Sequence, residues 1–240
     1  MGIHLSGLVG GIATLPAVLA VLLRRHAPLP VTLVLCHIAL TGFAVSIAAS
    51  DAMAADSTGL LGKDRDGVIG WWAWPLFWPY HLALRVKLHY QRWVSTEPLY
   101  SRIADGWYLG GWPAHGDLVP PGGPAVVDVT CELPRRHSQP YSNVPVWDTH
   151  APTPAQIEAG VRWALRQREA GRPVYVHCAH GHGRSTVVLC AALIRTGLAA
   201  DPKAALALAR AGRPRARFNY RQQDALEAWF RGQGARDRER

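Results

Sequence analysis

From Val174 to Ser185 the chain reads Val-Tyr-Val-His-Cys-Ala-His-Gly-His-Gly-Arg-Ser, a short apolar run, a glycine-punctuated loop and the opening of a helix. The apolar run over 173–177 is a buried strand, and the helix that follows Ser185 and Thr186 must pack back against the sheet containing it. Between them, Gly181 and Gly183 let the loop aim backbone N–H groups and the positive end of the helix dipole at one spot. That geometry is an anion site. Cys178 sits inside it, with Arg184 six residues on, and both a helix N-terminus and a nearby cation favour the thiolate. One loop therefore combines a phosphate cradle with a nucleophile.

The neighbouring segments say what kind of sheet the strand joins. Ile103 to Gly111 reads as a strand ending in a glycine turn, Ala125 to Thr130 as a short β-branched strand, and Val144 to Trp147 as another. Thr153-Pro-Ala-Gln156 is a capping box with proline at the first helical position, and it opens a helix that Gly171 closes. Along that helix Ile157, Val161 and Leu165 share one face, leaving Arg162, Arg166 and Arg168 largely outside it. Further helices are expected over 185–195, 201–211 and 219–231. Strands alternating with helices predict an α/β domain over about residues 100–232, with a central, mostly parallel sheet flanked by helices. Ligands of such sheets bind at the carboxyl ends of strands, where Cys178 lies. Residues 233–240 read as a charged, frayed tail.

The first part of the chain has a different character. Leu5 to Leu23 carries no charge and is followed by Arg24-Arg25-His26. Its length suits one bilayer crossing, and its positive charge lies on the wrong side for a secretory signal. Met1-Gly2 opens a loose myristoylation pattern, which an apolar span starting almost at once disfavours. A second apolar run covers about 27–49, with His37 as its main polar feature, read as a ring bonded to a neighbouring helix. The stretch 67–86 is dense in aromatics, including Trp71, Trp72, Trp74 and Trp78, residues that gather at membrane interfaces. Arg24 and Arg25 should face the cytoplasm, and so should Arg85, Lys87 and Arg92, which requires two crossings between the clusters. The expectation is a membrane region over 1–87 with spans at about 5–23, 27–49 and 67–86. A connector over 88–99 would follow, leading to a cytoplasmic domain. Four cysteines at scattered spacings make neither a disulfide framework nor a paired zinc pattern, in keeping with a reducing compartment. The net charge of +9 suits anionic partners, phosphorylated substrates or acidic lipid headgroups. No nucleic-acid motif accompanies that charge, and no nucleic-acid partner is expected.

A cysteine six residues before an arginine is common in an arginine-rich chain; the whole context of the loop is rare. His177, Cys178, Gly181, Arg184 and Ser185 together match His-Cys-x-x-Gly-x-x-Arg-Ser/Thr. The chain thereby resembles the cysteine-dependent protein phosphatase superfamily, and specifically its dual-specificity branch. Asp105-Gly-Trp-Tyr-Leu-Gly110 is similar to that branch's opening strand, Val126-Val-Asp-Val-Thr130 to its central one, and Arg213-Pro-Arg-Ala-Arg-Phe through Trp229 to its closing helix. The resemblance covers about 100–232 and leaves the membrane part outside.

Phosphoryl transfer needs an in-line nucleophile, donors for three equatorial oxygens and a proton for the leaving group. Cys178 would attack and carry the phosphoryl group as a thiophosphate ester. Arg184 would hold two oxygens in its fork, and the loop amides of Ala179, His180, Gly181, His182 and Gly183 the rest. Ser185 would stabilise the departing thiolate, and His177 would orient the loop and help lower the cysteine pKa. The general acid belongs on a separate loop. Asp148, in Val146-Trp-Asp-Thr-His-Ala-Pro152, is the choice, because Thr153 already caps the next helix; Asp128, within a strand, reads as structural. The glycine spacing around His180 and His182 suits an anion loop better than a metal site, and neither metal nor cofactor is expected. In members of the superfamily that act on phospholipids, a basic residue commonly occupies the position of His182, and in some relatives a cysteine near Cys131 forms a reversible disulfide with the catalytic one. Joined to the spans expected upstream, the resemblance implies a membrane-anchored hydrolase of phosphoproteins or phospholipids. Two alternatives keep the same loop: a phosphate-binding scaffold without turnover, and a rhodanese-like sulfur carrier, against which the Arg-Ser continuation and Asp148 argue.

Overall fold

Val174 to His177 forms a strand buried along its whole length, and that burial dictates the rest of the sheet around it. The computed structural model describes residues 4–236 and divides into two units. The first runs through Thr96 apart from Arg65–Val68; these four residues belong to the second unit together with the chain from Glu97 onward.

In the second unit the strands are β1 (Tyr100–Ala104), β2 (Trp107–Gly110), β3 (Ala125–Asp128), β4 (Tyr141–Asn143) and β5 (Val174–His177), in the spatial order β1-β2-β5-β3-β4. β5 pairs in parallel with β2 on one side and β3 on the other, so its apolar run satisfies the demands of a central strand. The segment expected as one strand up to Gly111 is a hairpin, β1 antiparallel to β2, because Asp105-Gly106 makes the turn and Gly106 takes a φ of 69°. The strand expected at Val144–Trp147 lies instead at Tyr141–Asn143. Val144 still donates its N–H to Asp128 O, but Pro145 has no N–H to continue the ladder, and its carbonyl goes to Gln156 Nε2.

The helices that flank the sheet follow their sequence signals closely. The fourth helix, Pro154–Glu169, opens on Thr153, whose hydroxyl accepts from Gln156 N–H while the Gln156 side chain accepts from Thr153 N–H. It buries Ile157, Val161 and Ala164 in the common core. The fifth, Arg184–Arg195, is buried through ten consecutive residues from Arg184 to Leu193. The sixth, Pro202–Gly212, starts on an Asp201 side-chain cap, and the seventh, Tyr220–Arg236, runs into the stretch expected to be a frayed tail. The end of that tail, like the Met1-Gly2 pattern, lies outside the described residues.

In the first unit, α1 (Leu5–Leu23) and α2 (Leu29–Ala48) have a mean hydropathy of 2.1 each and are long and apolar enough to cross a membrane. Small residues let them approach: a Cβ on Gly42 would strike Ala13, and Ser46 Oγ donates to Ser6 O at 2.8 Å. Their outer faces are bare, with Leu15, Leu22, Leu29 and Leu40 each more than 60% exposed. Among the described residues only these two helices meet that length and apolarity. The aromatic stretch forms α3 (Ala73–Trp93), later and longer than the span expected at 67–86, and Arg85, Lys87 and Arg92 lower its hydropathy. It bends at Phe77, two residues before Pro79, whose ring and missing N–H break the helical ladder there. Its last turns occupy the start of the expected connector.

Candidate active site

β5 delivers Cys178 to the carboxyl edge of the sheet, and Gly183 leads into the buried helix Arg184–Arg195 (α5). The five residues between Cys178 and Arg184 close tightly because Gly181 adopts a φ of 77°, and a Cβ there would collide with the Gly110 backbone. Cys178 is 4% exposed. Its Sγ accepts hydrogen bonds from Gly181 N–H at 3.2 Å and from Ser185 Oγ–H at 3.3 Å. Burial acts to raise the pKa of this thiol; the Arg184 charge and the hydrogen bonds from Ser185 and Gly181 outweigh it and hold the pKa below the ordinary value. Cys190, the seventh residue of α5, has burial alone acting on it, which pushes its pKa up.

Arg184 is 1% exposed, and its two Nη atoms are held by protein partners. Its Nη1 and Nη2 donate to the two carboxylate oxygens of Glu132 at 3.0 and 2.8 Å, and Nη1 also donates to Val146 O at 2.7 Å. Nη2 lies 3.2 Å from Asp148 Oδ1. Burial would lower the pKa of this guanidinium; Glu132 and Asp148 overcome it, and the group stays charged. Glu132, equally buried, was not singled out from the sequence. Its only signal was position, in the loop a few residues past the end of β3, at the sheet edge that carries Cys178.

Asp148 stands on a separate loop beside Arg184, with its side chain 36% exposed. The loop turns through Thr149, whose φ of 66° is unusual for a β-branched residue, and Thr149 N–H donates to Asp148 Oδ1 at 3.1 Å. Two amides at the start of α7 (Tyr220–Arg236) hold this turn: Asn219 Nδ2 donates to Thr149 O at 2.7 Å and Gln222 Nε2 to His150 O at 3.0 Å. Neither amide was anticipated.

Of the other anticipated residues, His177 is buried with Nδ1 3.2 Å from Cys178 O and Nε2 3.9 Å from Asp128 Oδ2. Asp128 accepts from Thr130 and Tyr141 within the sheet, in keeping with a structural part. Ala179 ties the loop to Trp112 N–H through its carbonyl. His180 and His182 stack with ring centroids 5.8 Å apart, and His182 Nε2 is 2.5 Å from Glu97 Oε2. Burial, opposed by Glu97, sets the pKa of His182 below its usual value. Cys131 is buried and in no disulfide, with Sγ 3.7 Å from the Glu132 carboxylate that holds Arg184. Among the described residues no group of three or more His, Cys, Asp or Glu is placed to hold a metal ion. The loop thus concentrates N–H donors and a fixed guanidinium around one sulfur, an arrangement suited to a tetrahedral dianion.

A family described as "Tc-R-P: Polymorphic toxin system, DSP-PTPase phosphatase" matches residues 125–198, which include β3, the Asp148 loop, β5, the Cys178 loop and α5. A mouse putative dual specificity phosphatase, crystallised with zinc tungstate, is similar at 21% identity and a TM-score of 0.54, covering 60% of this chain and 93% of that one. PTPMT1 in complex with PI(5)P is similar at 23% identity and a TM-score of 0.50, over 58% of this chain and 99% of that one. Human DUSP28 is similar at 23% identity and a TM-score of 0.50, over 56% and 94%. No curated protein matches the sequence. The fold is that of the dual-specificity phosphatases, and the family match over the loop supports a phosphatase of dual-specificity type.

Proposed function

We propose that this chain is a membrane-anchored phosphomonoester hydrolase that works through a cysteinyl-phosphate intermediate. The observation that carries the mechanism is the pair of donors, Gly181 N–H and Ser185 Oγ–H, trained on Cys178 Sγ beside a guanidinium fixed by Glu132. Cys178 attacks phosphorus as the thiolate while the loop amides of 179–183 and Arg184 take the equatorial oxygens. Asp148 protonates the leaving oxygen and then, as the carboxylate, activates the water that releases phosphate. Ser185 stabilises the thiolate as it departs, and His177, hydrogen-bonded at the Cys178 carbonyl, orients the loop.

Anchoring rests on the two apolar helices, whose outward leucines suit lipid better than water. The basic clusters at Arg24–Arg25 and at Arg85, Lys87 and Arg92 support a multi-pass arrangement with α3 as a third crossing and the domain over about 100–232 on the cytoplasmic side. The substrate is a phosphorylated protein or a membrane phospholipid. A lipid phosphate is favoured by the anchor and by His182 at the loop, and the complex of PTPMT1 with PI(5)P is a precedent for this fold. The test is the full chain in detergent, assayed on phosphotyrosine and phosphothreonine peptides and on phosphoinositide and phosphatidylglycerol phosphate vesicles in parallel. Phosphate release from vesicles well above that from peptides is expected, and the reverse order would move the substrate to protein.

A further inference from the structure

Glu97 lies outside the loop and outside every segment that marks the phosphatase fold in the sequence. Its carboxylate, 13% exposed, reaches two basic side chains, one in the phosphate loop and one that braces it. Oε2 lies 2.5 Å from His182 Nε2 and 3.3 Å from Arg213 Nη2. Arg213, 3% exposed, donates through Nε to Gly181 O at 3.1 Å and through Nη2 to His180 O at 2.7 Å. Its Nη1 donates to Pro98 O at 3.1 Å and lies 3.3 Å from Ser101 Oγ. The carbonyls of the loop are thus tied down from behind by Arg213, leaving loop N–H groups such as that of Gly181 for the sulfur side. Glu97 supplies the counter-charge that lets Arg213 remain there.

The same carboxylate decides the electrostatics of His182. Among the described residues, the charged groups that act most on that ring are Glu97, Arg213 and Arg215, with His180 stacked on it. Glu97 is the only anion among them. Remove it, and each remaining charged neighbour opposes protonation of the ring, so the loop loses a cation at the pH where His182 would otherwise gain one.

We propose that Glu97 is a positioning residue for the phosphate loop, bracing residues 180–182 through Arg213 and setting the protonation of His182, so that anion affinity and its pH dependence both run through this carboxylate. The inference rests on the reading of the Cys178 loop as the phosphate site.

Inorganic sulfate, a dianion at every relevant pH, is the probe, titrated calorimetrically into the full chain in detergent with Cys178→Ser in the background to silence the thiol. Because burial holds the His182 pKa below its usual value, sulfate affinity should rise as pH falls below about 6.5. Glu97→Gln should weaken binding about tenfold, as loss of a charge-assisted contact does, and move the rise to lower pH. His182→Asn, a change at a part-exposed side chain, should abolish the pH-dependent part on its own, and Glu97→Gln added to it should then cost only what passes through Arg213. Sulfate binding by Glu97→Gln that overlays the parent at every pH overturns the proposal. So does a loss equal at every pH, which marks a merely structural role. Should Glu97→Gln fail to fold, an unchanged pH profile in His182→Asn overturns the proposal by itself. Failure of the hydrolase reading would show separately, as sulfate binding of the expected form without turnover of an aryl phosphate by the Cys178-containing chain.

Discussion

Glu132→Gln is the substitution whose cost follows most directly from the geometry. The change keeps volume and one carbonyl oxygen but removes the charge that faces both nitrogens of Arg184, two groups each 1% exposed. Breaking one side of a buried ion pair costs about 3–5 kcal/mol, because the other charge stays behind without compensation. Here Val146 O and Asp148 still serve Arg184, which puts the expected loss near the low end, about 3 kcal/mol. For a unit of this size each kcal/mol moves the unfolding midpoint by about 2–4 °C, which gives a fall of about 6–12 °C. The assay is thermal unfolding of the purified full chain in detergent by tryptophan fluorescence, run beside an aryl phosphate assay. There a freed guanidinium fork should raise KM about tenfold or more. Glu227→Gln is the control: its pair with Arg231 is 3.6 Å long and lies at the surface, where such a contact is worth about 0–1 kcal/mol. A Glu132→Gln midpoint within about 2 °C of the parent, with KM unchanged, would refute the argument that this carboxylate is what keeps a buried guanidinium in place.

Three further outcomes follow from the same contacts. Asn219→Ala removes the donor that holds Thr149 in its left-handed turn, a conformation that costs about 1–3 kcal/mol. The Asp148 loop should then lose its preset position, lowering kcat about tenfold for poor leaving groups and much less for good ones, with KM little changed; equal loss for both would detach Asn219 from proton transfer. Because the Cys178 pKa is depressed, its alkylation by iodoacetamide should reach half-maximal rate at a pH below that of an ordinary thiol, and Ser185→Ala should raise that midpoint. The thiolate contributes to native stability above the unfolded thiol's pKa, and that contribution is lost as pH falls through the folded value. Peroxide treatment should yield a disulfide between Cys131 and Cys178 on peptide mapping, reversible by thiols; sulfinic acid at Cys178 with no crosslink would remove Cys131 from any protective part.

How much of this was legible before the fold was known depends on the range of the forces involved. The capping box at Thr153 and Gln156, the strand leading to Cys178 and the buried helix after it are local in sequence, and each stands where its pattern put it. The β4 register was not, since Val144 to Trp147 has the better strand composition and only the lack of an N–H on Pro145 explains why pairing stops before it. Glu132, Glu97, Asn219 and Gln222 escaped notice for a common reason. An isolated carboxylate or amide in a sequence reads as solvated surface, and its value here comes from a partner between 52 and 85 positions away, such as Arg184 for Glu132, His182 for Glu97 or the Thr149 and His150 carbonyls for the amides. In the first unit, hydropathy alone predicts α1 and α2. It misjudged the bounds of α3, where aromatic density and basic residues overlap on one helix.

The central claim is that Cys178 carries the phosphoryl group. Acid-quenched mass spectrometry of the full chain during turnover of an aryl phosphate, in Asp148→Ala to slow breakdown of the intermediate, tests it most directly. A phosphate adduct on the peptide containing Cys178, absent from the same variant with Cys178→Ser, is the predicted result. Turnover retained in Cys178→Ser, or an adduct mapped to any other residue, would contradict it.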